Sequence, residues 1–367
     1  VEDRYYWAAL QISLELGSHS LFSLYRYFPT GEAVFRAGEK DIKRVPNLSP
    51  QVAERIIHYR RNVEPERVAE DLLKKGIRVT LFGEADYPAM LSHIVDPPAI
   101  LYARGELPDP QLPLIAVVGA RRATPYGKVV ARKLARELVE AGWGVVSGMA
   151  RGIDTAAHEG ALEGNGYTLA VFGCGINICY PRENRRLMES IREKGCLLSE
   201  FPPDLPPLAR NFPIRNRIIS GCALGTVVVE AGEKSGSLIT AGFALEQGRE
   251  VFAVPGPVTS ANSRGAHRLI KQGAKLVETV SDILEEFPYI KRMQAVSQPP
   301  EKKETNLTLE EAAVFRHLSL EPVSLEHLAE RAGLPVSVVG ATLTMLEVKG
   351  LVQRLPGPFY IKSDVSL

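Results

Sequence analysis

The sequence carries no excess of charge of either sign. Lys and Arg number 44 against 43 Asp and Glu, a net charge of +1 over 367 residues, so no global field draws in a polyanion. A site for one would have to concentrate cations locally. Cysteine is scarce: Cys174, Cys179, Cys196 and Cys222 contain no CxxC pair and none of the spacings of zinc sites or small disulfide scaffolds. Four reduced, structural thiols in a cytosolic protein are expected, with no metal. No run reaches the eighteen or so apolar residues of a membrane span, and the start VEDRYYWAAL lacks a basic region followed by an apolar run. Neither a span nor export is expected. The GxxxxGK[ST] order of a Walker loop and the GxGxxG spacing of a dinucleotide site are both missing. ATP hydrolysis and the usual nucleotide cofactors therefore have no signature, and no cofactor is expected.

What is present reads in four parts. From 1 to 70 the apolar residues recur at helical spacing, broken by short polar turns such as Val45-Pro46-Asn47-Leu48-Ser49. That turn resembles the hairpin of helix-hairpin-helix modules without its usual glycine, and a helical packing module is the plainer reading. From 71 to 288, after short strands near Arg78–Leu81 and Ile100–Tyr102, come apolar runs separated by helix-length amphipathic segments: LIAVVG, GVVSG, TLAVFG, CLLS, TVVVE, EVFAV and KLVE. Continuous Val/Ile/Leu runs of this kind predict an α/β fold with a parallel sheet covered on both faces. Most runs end in Gly, Ser or Glu, at the carboxyl edge where such sheets bind ligands. Residues 289–306 read as a polar linker. Residues 307–367 follow the winged-helix order: a helix capped by Thr308 and Glu311, a second capped by Ser324, and a third opened by Pro335 and stopped at Gly350. A hairpin around Pro356-Gly357-Pro358 comes last. The third helix offers only Lys349 near its end as a cation, which points to protein contact or a weak DNA role rather than sequence readout.

Three turns carry the chemistry. In VVGARRATPYGK, Gly119 permits a tight turn and Arg121 and Arg122 follow the first strand of the parallel series, a candidate phosphate clamp. In VVSGMARGIDTAAHEGA, Gly148, Arg151 and Gly152 precede a helix N-terminus that favours an anion. Asp154 and His158 share a face of that helix, more as a structural pair than an acid/base couple. In NFPIRNRIISG and the following EAGEKSGS, Phe212 stands near Arg215, Asn216 and Arg217, ahead of an amide-rich turn of Lys234, Ser235, Gly236 and Ser237. Cations beside an aromatic ring suit a single nucleic-acid strand, whose backbone is charged and whose bases stack. Arg210, Arg249 and Arg264 add to the cations of this region.

These strings, with LLSEFPP, ALEQGREVFAVPG and the GAHRLIKQGA segment, run in order along nearly the whole chain, which resembles the DNA-processing protein A family, DprA or Smf. The resemblance implies an extended Rossmann-like core, an N-terminal sterile-alpha-motif-like or helix-hairpin-helix module and a C-terminal winged helix. It also implies cytosolic single-stranded DNA binding, homodimerisation, and loading of RecA recombinase onto incoming DNA in natural transformation. Carried over by position, the strand-binding pocket would use Arg121, Phe212, Arg215, Asn216, Arg217, Lys234, Ser235, Gly236 and Ser237, with Arg122 and Arg151 beside them. Gly119, Gly148 and Gly152 would let phosphates approach the backbone. His267 stands where asparagine would be expected in the family.

Two other readings compete. The fold also resembles lysine-decarboxylase-like phosphoribohydrolases, which cleave nucleoside monophosphates. Gly225-Thr226 and Glu230 echo their G-T-x-x-E, but Ser220-Gly221-Cys222 replaces the preceding Pro-Gly-Gly. A purely structural adaptor would leave the clustered arginines unexplained.

Overall fold

A computed structural model of the protein describes residues 1–290, 307–319, 322–349, 351–355 and 357–362. Most of the linker, together with Gly350 and Pro356, lies outside these residues. The chain divides into two compact units, Val1–Arg292 and Met293–Leu367.

The first unit opens with six helices: α1 (Asp3–Ser13), α2 (Ser18–Tyr27), α3 (Gly31–Arg36), α4 (Glu39–Lys43), α5 (Pro50–Tyr59) and α6 (Pro65–Lys74). Proline at the first turn of α5 and α6 supplies a preset φ where no amide bond is lost. The Ser49 hydroxyl accepts from the Val52 amide to cap α5. Trp7, Leu10, Leu21, Leu24 and Ile56 are buried in one cluster that continues into Phe172, Met188, Ile191 and Leu197 of the sheet layer. Burying each such side chain contributes about 1.5–3 kcal/mol, which fixes the helices against the sheet.

Nine strands form that sheet: β1 (Arg78–Leu81), β2 (Ile100–Gly105), β3 (Leu114–Val118), β4 (Gly144–Ser147), β5 (Thr168–Val171), β6 (Cys196–Ser199), β7 (Gly225–Val228), β8 (Glu250–Ala253) and β9 (Lys275–Leu276). Their order is β1-β2-β6-β5-β4-β3-β7-β8-β9. All seven sequence-predicted apolar runs are strands, and all seven pair in parallel. The two short strands before them add antiparallel at one edge through β2 on β6. Strands β3 to β7 are buried at every residue, the consequence of helices on both faces. The helices of this layer are α7 (Pro125–Glu140), α8 (Ile153–Glu163), α9 (Arg185–Lys194), α10 (Asn211–Gly221), α11 (Ser237–Glu246), α12 (Arg264–Lys271) and α13 (Val280–Leu284).

The topology selects one place on the sheet. From β3 the chain winds outward through β4, β5 and β6, then returns so that β7 lies on the other side of β3. The loops after β3 and β7 therefore diverge and leave a crevice at their carboxyl ends, the switch point where open α/β sheets take ligands.

In the second unit, helices α14 (Leu309–Phe315), α15 (Leu325–Ala332) and α16 (Val336–Val348) pack with β10 (Val323–Ser324), β11 (Val352–Arg354) and β12 (Phe359–Lys362). Thr308 and Glu311 form the expected capping box, and Ser324 caps α15 through the His327 amide. Lys349 sits 2.7 Å from the Glu311 carboxylate.

Candidate nucleic-acid interface

The crevice at the switch point is a cavity of about 740 Å³. Its walls come from the loop after β3, the start of α10 and the loop after β7. Thr124 caps α7 by accepting from the Gly127 amide, and the buried Glu230 carboxylate takes both the Thr124 amide (2.9 Å) and the Thr124 hydroxyl (2.5 Å). The two loops are thus bolted together beneath the cavity. Gly127 is needed there because a Cβ would lie 2.4 Å from the Glu230 carboxyl carbon.

Arg121, Arg122 and Lys234 are exposed, line the cavity and make no ion pair with any described residue. Arg121 lies over the Phe212 ring, 5.2 Å from its centroid. Asn216 donates to the Gly236 carbonyl at 3.3 Å, tying α10 to the Lys234 turn. The Ser235 and Ser237 hydroxyls bond each other at 2.8 Å, and space is open on the side of Gly236 where a Cβ would stand. Ten of the fourteen residues picked from sequence line this one cavity: Gly119, Arg121, Arg122, Phe212, Arg215, Asn216, Lys234, Ser235, Gly236 and Ser237.

The other four are not among its lining residues, for identifiable reasons. Arg217 faces the opposite side of α10, where Glu200 takes its two terminal nitrogens at 2.9 and 2.8 Å and Asp96 takes Nε at 3.3 Å. It is buried and its charge is consumed. Arg151 is exposed but bonded twice to Glu183. Gly148 and Gly152 serve chain packing instead of ligand approach. A Cβ on Gly148 would meet the Arg215 guanidinium at 2.8 Å, and Gly152 has φ +81° with the Ala120 carbonyl 2.3 Å from where a Cβ would stand. Gly119 lines the cavity but is likewise crowded by Ile153 and the Glu230 carbonyl.

Arg215 is at the cavity yet almost inaccessible, donating to the Gly148 and Val171 carbonyls at the ends of β4 and β5. Burial pulls its guanidinium down to about 10, with Asp154 acting against that shift. Burial pushes the Asp154 carboxyl up to about 6, opposed by Arg215 and by the Ala150 and Gly148 amides. His158 is fully buried and neutral, held down at about 3 by burial, with Nδ1 2.7 Å from the Thr168 hydroxyl. Asp154 and His158 are thus two separate structural groups. Among the further cations, Arg249 bonds the Met90 carbonyl and Arg264 pairs with Glu233. His267 bonds the Gly256 carbonyl at 2.9 Å, closing the turn after β8.

One aromatic residue of the cavity wall was not picked from sequence. Tyr180, in the loop after β5, has its ring 5.4 Å from that of Phe212. In the sequence it stands in the string Cys179-Tyr180-Pro181, nine residues after the end of β5, with no cation beside it to mark it.

Residues 78–288 match the family described as DNA recombination-mediator protein A, and residues 298–358 match the DprA winged helix domain. The chain belongs to the DNA recombination-mediator protein A family. Protein Smf of Escherichia coli strain K12 is 43% identical over 279 residues, 74% of each chain. The X-ray structure of DprA from Streptococcus pneumoniae superimposes with a TM-score of 0.68 at 36% identity, covering 77% of this chain and 98% of that one. DNA processing protein A from Helicobacter pylori, whose structure was described for its single-stranded DNA binding mode, gives a TM-score of 0.51 at 28% identity. That match covers 60% of this chain and 97% of that one. Among the described residues no helix is long and apolar enough to cross a membrane, and no three or more His, Cys, Asp or Glu side chains converge as a metal site.

Proposed function

We propose that this chain is a non-catalytic binder of single-stranded DNA that takes up the strand in the cavity between β3 and β7. One observation carries the reading: Arg121, Arg122 and Lys234, without an ion pair among the described residues, converge with Phe212 on the switch-point cavity. Guanidinium groups and turn amides suit phosphate oxygens, while the aromatic wall suits bases. The site residues on this reading are Arg121, Arg122, Phe212, Asn216, Lys234, Ser235, Gly236 and Ser237, with Arg215 as the buried support. The binding mode described for the Helicobacter pylori relative supports the same ligand class. The family's description as a recombination mediator supports the next step, presentation of the strand to RecA recombinase by a homodimer in the cytoplasm during natural transformation.

The phosphoribohydrolase reading has less behind it. Its glutamate would be Glu230, and both oxygens of that buried carboxylate already hold Thr124. Fluorescence anisotropy with a single-stranded and a duplex oligonucleotide of the same sequence tests the proposal. Tighter binding of the single strand, with little preference for base sequence, is expected. Equal affinity for the two would sink it, and free base released from a nucleoside monophosphate, lost in Glu230→Gln, would replace it with the enzyme.

A further inference from the structure

Phe212 is poorly placed to receive a base by itself. Its ring has Arg121 at 5.2 Å, Arg215 at 5.9 Å and the Tyr180 ring at 5.4 Å, and the Gly173 backbone is packed so close that a Cβ there would lie 2.7 Å from the ring. Most of its surface is already in contact. Tyr180 is the aromatic that remains open, 41% exposed at the rim of the same cavity.

The loop that carries Tyr180 is held firmly on both sides. Before it, the Gly175 amide bonds the Leu205 carbonyl, the Asn177 amide bonds the Pro203 carbonyl, and the Ile178 amide bonds the Gly175 carbonyl. After it, the Asn184 amide bonds the Pro181 carbonyl, while the Asn184 side chain donates to the Met149 carbonyl at 3.1 Å. A ring on so fixed a backbone needs little ordering when a ligand arrives, so more of the contact energy is kept as affinity.

We propose that Tyr180 is a nucleobase-stacking subsite. An unpaired base lies on its open ring face, Phe212 backs the platform, and Arg121, against the same Phe212 ring, meets the adjoining phosphate. The inference rests on the single-stranded DNA reading above and extends it to a residue with no charge. It also accounts for preference of single strand over duplex, because a base paired within a stacked duplex has no free face to offer.

The test compares two labelled oligomers of equal length, oligo-dT and a fully abasic strand, with the full chain at one salt concentration. Wild type is expected to prefer the base-bearing strand. Tyr180→Leu keeps an apolar side chain on Phe212 but has no π face. It should lose that preference by roughly five- to 150-fold, the range one stacked base carries, while binding the abasic strand as wild type does. Tyr180→Phe should retain the preference. The ratio of the two affinities is the readout, so a partial loss of folded protein cancels. A single-stranded oligomer containing 2-aminopurine should be quenched on binding wild type and Tyr180→Phe but not Tyr180→Leu. Equal weakening of both strands by Tyr180→Leu, or full quenching by it, would overturn the subsite and leave the single-strand reading standing. Failure of wild type to bind either strand would overturn both.

Discussion

Replacing Arg217 by alanine removes one member of an ion pair whose other member has no access to water. Glu200 is fully buried and accepts both terminal guanidinium nitrogens, at 2.9 and 2.8 Å, while Arg217 itself is only 5% exposed. With the guanidinium gone, the carboxylate must stay charged and unpaired in the interior or take up a proton. Breaking a buried pair in this way costs about 3–5 kcal/mol. At about 2–4 °C per kcal/mol for a domain somewhat smaller than this unit, the expected fall in Tm is on the order of 10 °C. Far-UV circular dichroism during heating, with urea unfolding at 25 °C, reads the loss directly. The double variant Arg217→Met with Glu200→Leu should recover most of it, because a well-packed apolar pair avoids the desolvation cost. At a temperature where Arg217→Ala is folded, its affinity for oligo-dT should lie within about twofold of wild type, since the Arg217 side chain is turned to Glu200 and Asp96 and does not line the cavity. An Arg217→Ala variant that unfolds like wild type but no longer binds DNA would refute the structural role and return the residue to the interface.

Three further outcomes follow from the geometry. His158 has its pKa lowered from 6.5 to about 3, so it contributes stability that is present above pH 6.5 and lost as pH falls toward 3. Asp154, raised from 3.8 to about 6, contributes in the opposite sense, with stability present below 3.8 and lost as pH rises through 6. The two offset each other between about pH 4 and 6. Asp154→Asn should therefore show a steeper acid loss than wild type, by up to about 1.4 kcal/mol per pH unit, in urea midpoints taken at pH 7, 6, 5 and 4; parallel curves would disprove it. Gly152→Ala forces a side chain into a left-handed position against the Ala120 carbonyl and should cost about 2 kcal/mol or more in urea unfolding. Gly236→Ala, with open space and no positive φ, should leave stability within about 0.5 kcal/mol.

The sheet was legible because a strand buried on both faces must be apolar throughout, and LIAVVG, TLAVFG and TVVVE satisfy that without tertiary information. The two strands before them were read as short strands, but their antiparallel direction was not legible, since strand direction depends on where the chain has already been laid down. Strand order was not legible either, although it is what brings Arg121 and Lys234, over a hundred residues apart, to one crevice. Among the residues picked, the exposed loop cations Arg121, Arg122 and Lys234 line one cavity because the loops after β3 and β7 both leave the sheet at its carboxyl edge, whereas Arg151, on the loop after β4, is held by Glu183 and stays outside it. Arg215 and Arg217 looked equivalent in NFPIRNRIISG. Helical geometry turns residues two apart toward different sides, and the partner that captures Arg217, Glu200, comes from another strand end. The glycines were recognised as necessary, but sequence cannot tell a glycine that admits a phosphate from one that admits a neighbouring carbonyl, as Gly152 does. Tyr180 was passed over because a lone aromatic in a loop acquires meaning only when Phe212 is found beside it.

The measurement that bears most directly on the proposed function is the salt dependence of oligo-dT binding for wild type, Arg121→Ala and Lys234→Ala. Each phosphate neutralised on a single strand contributes roughly −0.7 to the slope of log K against log salt concentration. If these two exposed cations grip the backbone, each variant should bind more weakly with a slope shallower by about 0.7, at unchanged thermal stability. Slopes identical to wild type in both variants would contradict a single-strand site between β3 and β7.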